Sequence, residues 1–82
     1  MKIKYFSWVK NITKIESEEL HEKKITNINS LKTFLCAKYP KLKQYIMTDQ
    51  IIQIAVNLEY ISENIPIYNE DEIALFPPVS GG

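Results

Sequence analysis

Residues 27–40, Asn27-Ile28-Asn29-Ser30-Leu31-Lys32-Thr33-Phe34-Leu35-Cys36-Ala37-Lys38-Tyr39-Pro40, hold the clearest helix in this 82-residue chain. Asn27 is a side-chain acceptor suited to the first free N–H groups of a helix. Ile28, Leu31, Leu35 and Tyr39 recur at helical spacing, Phe34 widens the apolar stripe, and Pro40 closes it. Downstream, Ile51-Ile52-Gln53-Ile54-Ala55-Val56-Asn57 is β-branched and nearly continuous, which predicts a buried central strand ending at Asn57. Residues 58–61 predict a short strand, Asn69-Glu70-Asp71-Glu72 a turn, and Ile73-Ala74-Leu75-Phe76 a last strand. Upstream, residues 2–9 alternate with a period of two. Ile3, Tyr5, Ser7 and Val9 fall on one side of that predicted strand, with Lys2, Lys4, Phe6 and Trp8 on the other. Residues 10–16 predict a helical turn, and Leu20 to Ile25 an edge strand. The order is ββαβββ, or ββαββ without the short strand. Strands on either side of one good helix predict an α+β domain over residues 1–76, a mixed sheet wrapped across the helix in the β-grasp manner. Residues 77–82 are left as a tail that enters no sheet interior.

Composition narrows the function classes. One cysteine forms no internal bridge, and one His with one Cys does not furnish a four-ligand zinc site, so the core rests on packing. No apolar run approaches the roughly 18 to 20 residues that span a bilayer, and the chain opens on alternating residues, so a cytoplasmic protein without a membrane partner is expected. The net charge is zero, which argues against nucleic acid. All ten basic residues are lysines and lie at or before Lys43, whereas Asp49, Glu59, Glu63, Glu70, Asp71 and Glu72 follow it. The C-terminal half is therefore an acidic surface, either simply solvated or steering the domain toward a basic partner.

Both glycines are Gly81 and Gly82, so neither serves a turn, a helix end or a phosphate loop inside the domain. Pro77-Pro78-Val79-Ser80 makes a stiff, extended stem and Gly81-Gly82 a thin, unbranched tip. Six residues at about 3.3 Å each reach roughly 20 Å, enough to thread a narrow pocket of another protein. The carboxylate of Gly82 is the reactive group so delivered. A carboxylate resists nucleophiles until it is activated, for which transfer to AMP from ATP suffices. With no phosphate-binding glycine loop in the chain, the activating enzyme is a separate protein and this chain its substrate and carrier.

The stretch Asp71-Glu72-Ile73-Ala74-Leu75-Phe76-Pro77-Pro78-Val79-Ser80-Gly81-Gly82, with Ile54-Ala55-Val56-Asn57 and Ile3-Lys4-Tyr5-Phe6, resembles the small, sulfur-carrying subunits of molybdopterin synthase, the MoaD type of ubiquitin-like sulfur carrier. The resemblance spans nearly the whole chain, and Phe-Pro-Pro-Val-Ser-Gly-Gly is its most discriminating part. It implies that an E1-like adenylyltransferase adenylates Gly82 with ATP and that a sulfur-donating enzyme converts it to a thiocarboxylate. The tail then enters the large catalytic subunit of a heterotetramer, where sulfur passes to cyclic pyranopterin monophosphate to form the molybdopterin dithiolene. No cofactor or metal is expected in the chain itself, which has no active site of its own. By position, Gly82 bears the sulfur, Gly81 keeps the tip slim, and Pro77, Pro78, Val79 and Ser80 follow it into the partner. Phe76, Phe6, Trp8 and Lys10 are the expected partner interface. Lys10 stands where relatives commonly carry Arg, and Trp8 is bulkier than the residue expected there.

Other signals lead away from catalysis. Cys36 lies beside the apolar stripe without an activating base and reads as a packed cysteine. His21 has no Ser or Cys partner at a catalytic spacing and reads as a surface residue. Glu70, Asp71 and Glu72 lack the spaced oxygens of a calcium loop. Competing functions are a carrier for thiamin or tRNA thiolation, a ubiquitin-like modifier that conjugates Gly82 to lysines, and a plain interaction module.

Overall fold

In the computed structural model, which describes residues 1–78, the N-terminal segment forms strand β1 (Lys2–Tyr5), helix α1 (Trp8–Thr13) and strand β2 (Ser17–Glu19). Helix α2 (Ile28–Lys38) follows, then a 3₁₀ turn over Pro40–Leu42 and a widened helical turn over Gln44–Thr48. Strands β3 (Gln53–Val56), β4 (Glu59–Ile61) and β5 (Glu72–Phe76) complete one five-stranded sheet in the order β2-β1-β5-β3-β4. β1 and β5 pair in parallel and every other neighbour is antiparallel. The last strand thus lies beside the first at the centre of a mixed β-grasp sheet, whereas the strand predicted as central over residues 51–57 is the shorter β3, which lies beside β5.

Asn27 caps α2 as its residue type demands. Its side chain accepts from the Ser30 N–H at 2.8 Å, while the Ser30 hydroxyl accepts from the Asn27 N–H at 3.0 Å. This reciprocal pair satisfies two of the N–H groups that a helix start leaves free. Ile28, Leu31 and Leu35 of α2 are buried against the inner face of the sheet, among them Ile3, Ile54, Ile73 and Leu75. A second tie holds the helix start, where Asn27 bridges Pro66 and Ile28 N–H donates to the Ile65 carbonyl at 3.1 Å.

The first strand departs from its alternation. The ladder continues one residue past β1, with Phe6 N–H donating to the Leu75 carbonyl at 3.0 Å, and then Ser7 takes φ 55. That left-handed residue turns the chain out of the sheet, so α1 begins at Trp8, earlier than the predicted helical turn. Trp8 is consequently not on the outer face beside Phe6. It is half-buried, its ring edge-on to Tyr45 at 4.9 Å. Val9 is buried from the helix and not from a strand. The edge strand is Ser17–Glu19 and not residues 20–25; Leu20 and Ile25 are core residues of the connection that follows it. His21 is exposed on that connection.

A polar node ties this region to the helix. Glu18 on β2 accepts the Tyr5 hydroxyl at 2.6 Å and the Tyr39 hydroxyl at 2.5 Å, and pairs with the Lys38 ammonium. Burial opposes ionisation of Glu18, but the bonds from Lys38, Tyr39 and Tyr5 outweigh it and hold the carboxyl below its usual range. The same node, with burial foremost, pushes the Tyr39 phenol up to about 12 and the Tyr5 phenol higher still. Among the described residues no buried side-chain nitrogen or oxygen lacks a hydrogen-bond partner.

Candidate functional site: the sheet face at the root of the tail

β5 is the middle strand, and the chain leaves it at Phe76. Pro77 follows half-buried and Pro78 exposed. Neither proline has an N–H to extend the ladder, so the strand pairing stops where the tail begins. Val79, Ser80, Gly81 and Gly82, the expected tail tip, lie outside the described residues.

The face of the sheet turned away from α2 surrounds this exit. Alternation puts Lys2, Lys4 and Phe6 on that face from the first segment, and Glu72, Ala74 and Phe76 from β5. Lys4 pairs with Glu72 at 3.2 Å across the two strands. Nearer the exit, the Phe76 ring lies 5.5 Å from that of Tyr60 on β4, with the planes tilted by 50°. Phe6 is 47% exposed and Tyr60 77% exposed. Three aromatic rings therefore share the outer face next to the tail root, and two of them stand in solvent. An apolar surface left open this way, at the point where the chain leaves the sheet through Pro77 and Pro78, is suited to contact with a protein partner.

Of the expected interface residues, the fold brings Phe6 and Phe76 together on this face and sends Trp8 to the edge of the core. Lys10, half-buried on α1, reaches Glu16 at 3.8 Å. It shares a shallow depression with Phe6 and Ser7 close to the aromatic surface. Tyr60 was not singled out by sequence reasoning. The signal for it is Glu59-Tyr60-Ile61, where a strand beside β3 points its central residue to the face opposite Ile61.

The described residues hold no group of three or more His, Cys, Asp or Glu side chains able to grip a metal ion. Cys36 is half-buried, and burial pushes its thiol up against the opposing influence of Lys43 and Lys32. That favours a protonated, packed cysteine over a nucleophile. Asp71 is occupied by the turn before β5, accepting from Asn57 Nδ2 at 3.0 Å and from Tyr68 N–H at 2.7 Å. No described helix is long and apolar enough to cross a membrane.

Comparison with known proteins agrees with this geometry. A model of the ThiS family matches residues 3–82. Over 46 residues the chain is 48% identical to the molybdopterin synthase sulfur carrier subunit of Dictyostelium discoideum, an alignment covering 54% of this chain and 50% of that protein. The chain thus spans about half the length of this curated relative. Among solved structures, SAMP1 from Haloferax volcanii superposes with a TM-score of 0.82 at 24% identity, covering 100% of this chain and 98% of the other, a likeness of fold. A putative molybdopterin converting factor, subunit 1, from Pyrococcus furiosus gives 0.81 at 26% identity, with 95% of each chain covered. A protein–protein complex of subunits 1 and 2 of the molybdopterin-converting factor from Helicobacter pylori gives 0.67 at 26% identity, covering 99% of this chain and 96% of the other.

Proposed function

This chain belongs to the ThiS family, and from that premise we propose that it is the cytoplasmic sulfur carrier subunit of a molybdopterin synthase. The observation that carries the reading is the tail root. The central strand ends at Phe76 amid exposed rings, and the family match runs on through Gly82. A partner that covers Phe6, Tyr60 and Phe76 receives the Pro77-Pro78 stem at a fixed position and direction.

The chemistry follows from what a carboxylate lacks. A carboxylate oxygen of Gly82 attacks the α-phosphate of ATP on an E1-like adenylyltransferase, and pyrophosphate leaves. The terminal sulfur of a persulfide on a donor enzyme then displaces AMP to give an acyl disulfide, and a thiol of the sulfur-transfer machinery cleaves its S–S bond, leaving a disulfide behind and releasing the thiocarboxylate. That group is a sulfur nucleophile ionised at neutral pH, so the carrier needs no base of its own. In the large subunit, acting as a heterotetramer, sulfur passes to cyclic pyranopterin monophosphate and two charged carriers are used for each dithiolene. Gly81 and Gly82 lack a Cβ, which lets the tip enter a channel that a larger residue would block. Support for the large subunit as partner comes from the subunit 1 and 2 complex among the structural neighbours.

The test is reconstitution with the purified large subunit, cyclic pyranopterin monophosphate and this protein charged with sulfur. Molybdopterin formation that requires Gly82 is expected. Formation of lysine-linked conjugates in its place would favour the modifier function, and rescue of thiamin synthesis or tRNA thiolation alone would favour those carrier routes.

A further inference from the structure

The hairpin between β3 and β4 turns on two residues, Asn57 with φ 51 and Leu58 with φ 70. Two successive left-handed residues make the tight turn that suits the twist of paired strands, and the sequence that best fills it is Asn-Gly. Asn tolerates the left-handed region through its short polar side chain, whereas Leu meets the steric penalty of its Cβ. The side chain obtains nothing from the fold in return, since Leu58 is 90% exposed, the most exposed large apolar residue described.

The turn beneath it is held firmly. Asn57 N–H donates to the Glu72 carbonyl at 2.8 Å, Asn57 Oδ1 accepts from Glu72 N–H at 3.0 Å, and Asn57 Nδ2 donates to Asp71 at 3.0 Å. Leu58 is therefore an apolar knob presented from a fixed base. Glu59 follows it in sequence and Asp71 lies against the neighbouring Asn57, so its surroundings are acidic. Two residues further along, Tyr60 carries the exposed surface back to Phe76 and the tail root. Strain without internal gain belongs to sites where something outside the chain supplies the gain.

We propose that Leu58 is a second docking element for the protein that receives the tail, seated in an apolar pocket rimmed by Lys or Arg. The occupant is the large subunit of the synthase, so the inference rests on the function proposed above. The acidic surroundings fix the sign of the rim, and continuity through Tyr60 fixes which protein reaches it. A body covering the aromatic face needs to extend only along β4 to meet the hairpin tip. Leu58 thereby selects a large subunit with the matching pocket, apart from the chemistry at the distant tail.

The experiment compares wild type, Leu58→Gly and Leu58→Met in binding to the purified large subunit, with thermal unfolding of each carrier alone. Leu58→Gly relieves the left-handed strain, and its Tm is expected to rise by about 4 °C. Despite that gain, its Kd is expected to weaken about tenfold, mainly through a faster off-rate. Leu58→Met keeps the apolar knob and is expected to bind like wild type. A Leu58→Gly protein that binds within a factor of about three of wild type overturns the proposal, as does equal weakening by both substitutions. Adenylation by the activating enzyme serves as the parallel readout, and loss confined to that step also overturns it. If wild type itself does not bind the large subunit, the functional reading fails, a result distinct from failure of the Leu58 contact alone.

Discussion

The two faces of the sheet are built on opposite principles. On the inner face, Ile3, Ile73 and Leu75 are wholly buried under α2, and even the charged Glu18 has its partners supplied by Tyr5, Tyr39 and Lys38. On the outer face Tyr60 and Phe6 stay in solvent, and at the β3–β4 hairpin tip Leu58 is held in a conformation that suits glycine. The inner face satisfies itself, whereas the outer one leaves apolar surface that the described residues do not cover. For a protein whose reactive group is proposed to act inside another protein, that division separates what keeps the fold from what meets the partner.

Substitutions on the two faces are expected to separate stability from binding. The largest stability effect falls at Leu75, where Leu75→Ala removes buried atoms from the central strand. It is expected to cost about 3 kcal/mol in denaturant unfolding. Next comes Glu18→Gln, which keeps the shape of the side chain but weakens three hydrogen bonds, with a loss of about 2 kcal/mol.

The Glu18 node also sets a pH dependence. Its folded carboxyl titrates below the ordinary value of 4.5, so the stability it confers is present above that value and is lost as pH falls through the lower, folded one. The two phenols act at the other end. Tyr5 and Tyr39 titrate above the ordinary 10.0 when folded, so their contribution is intact below that value and declines as pH rises beyond it. Unfolding curves across pH are expected to lose the acid limb of this dependence in Glu18→Gln. An unchanged acid limb would remove Glu18 as its source. The smallest stability effect is that of Tyr60→Ala on the outer face, about 0.5 kcal/mol or less, with large-subunit affinity nonetheless falling about tenfold. A Tyr60→Ala protein that unfolds early and binds normally would erase the distinction between the faces.

Much of this was legible in the residues. The α2 cap at Asn27, its buried stripe and the last strand through Phe76 follow from patterns that local physics enforces, and so does an interior apolar strand within residues 51–57, although its place beside the middle strand depends on the topology. The misplacement of Trp8 has a plain cause. Both glycines lie at positions 81 and 82, so each left-handed residue of the described fold, Ser7, Lys14, Gln50, Asn57 and Leu58, carries a Cβ. Without glycine as punctuation, the alternation of residues 2–9 runs on through Ser7, and Trp8 is read as a strand residue. Residues 20–25 mislead in another way. Leu20 and Ile25 are buried from a connection whose intervening side chains are exposed, a pattern close to that of an edge strand. At the candidate site, Phe6 and Phe76 could be found because strand pairing places them. Tyr60 depends on the register of β4 against β3, which local sequence leaves open.

The central claim is that Gly82 carries sulfur, and mass measurement of the C-terminal fragment of protein purified from its native host, with a thiocarboxylate-selective reagent, tests it most directly. The account predicts a species with one sulfur in place of one oxygen at Gly82, distinguished by the reagent from oxidation at Met1 or Met47. Carboxylate alone, even in cells blocked at the step that consumes the charged carrier, would contradict it.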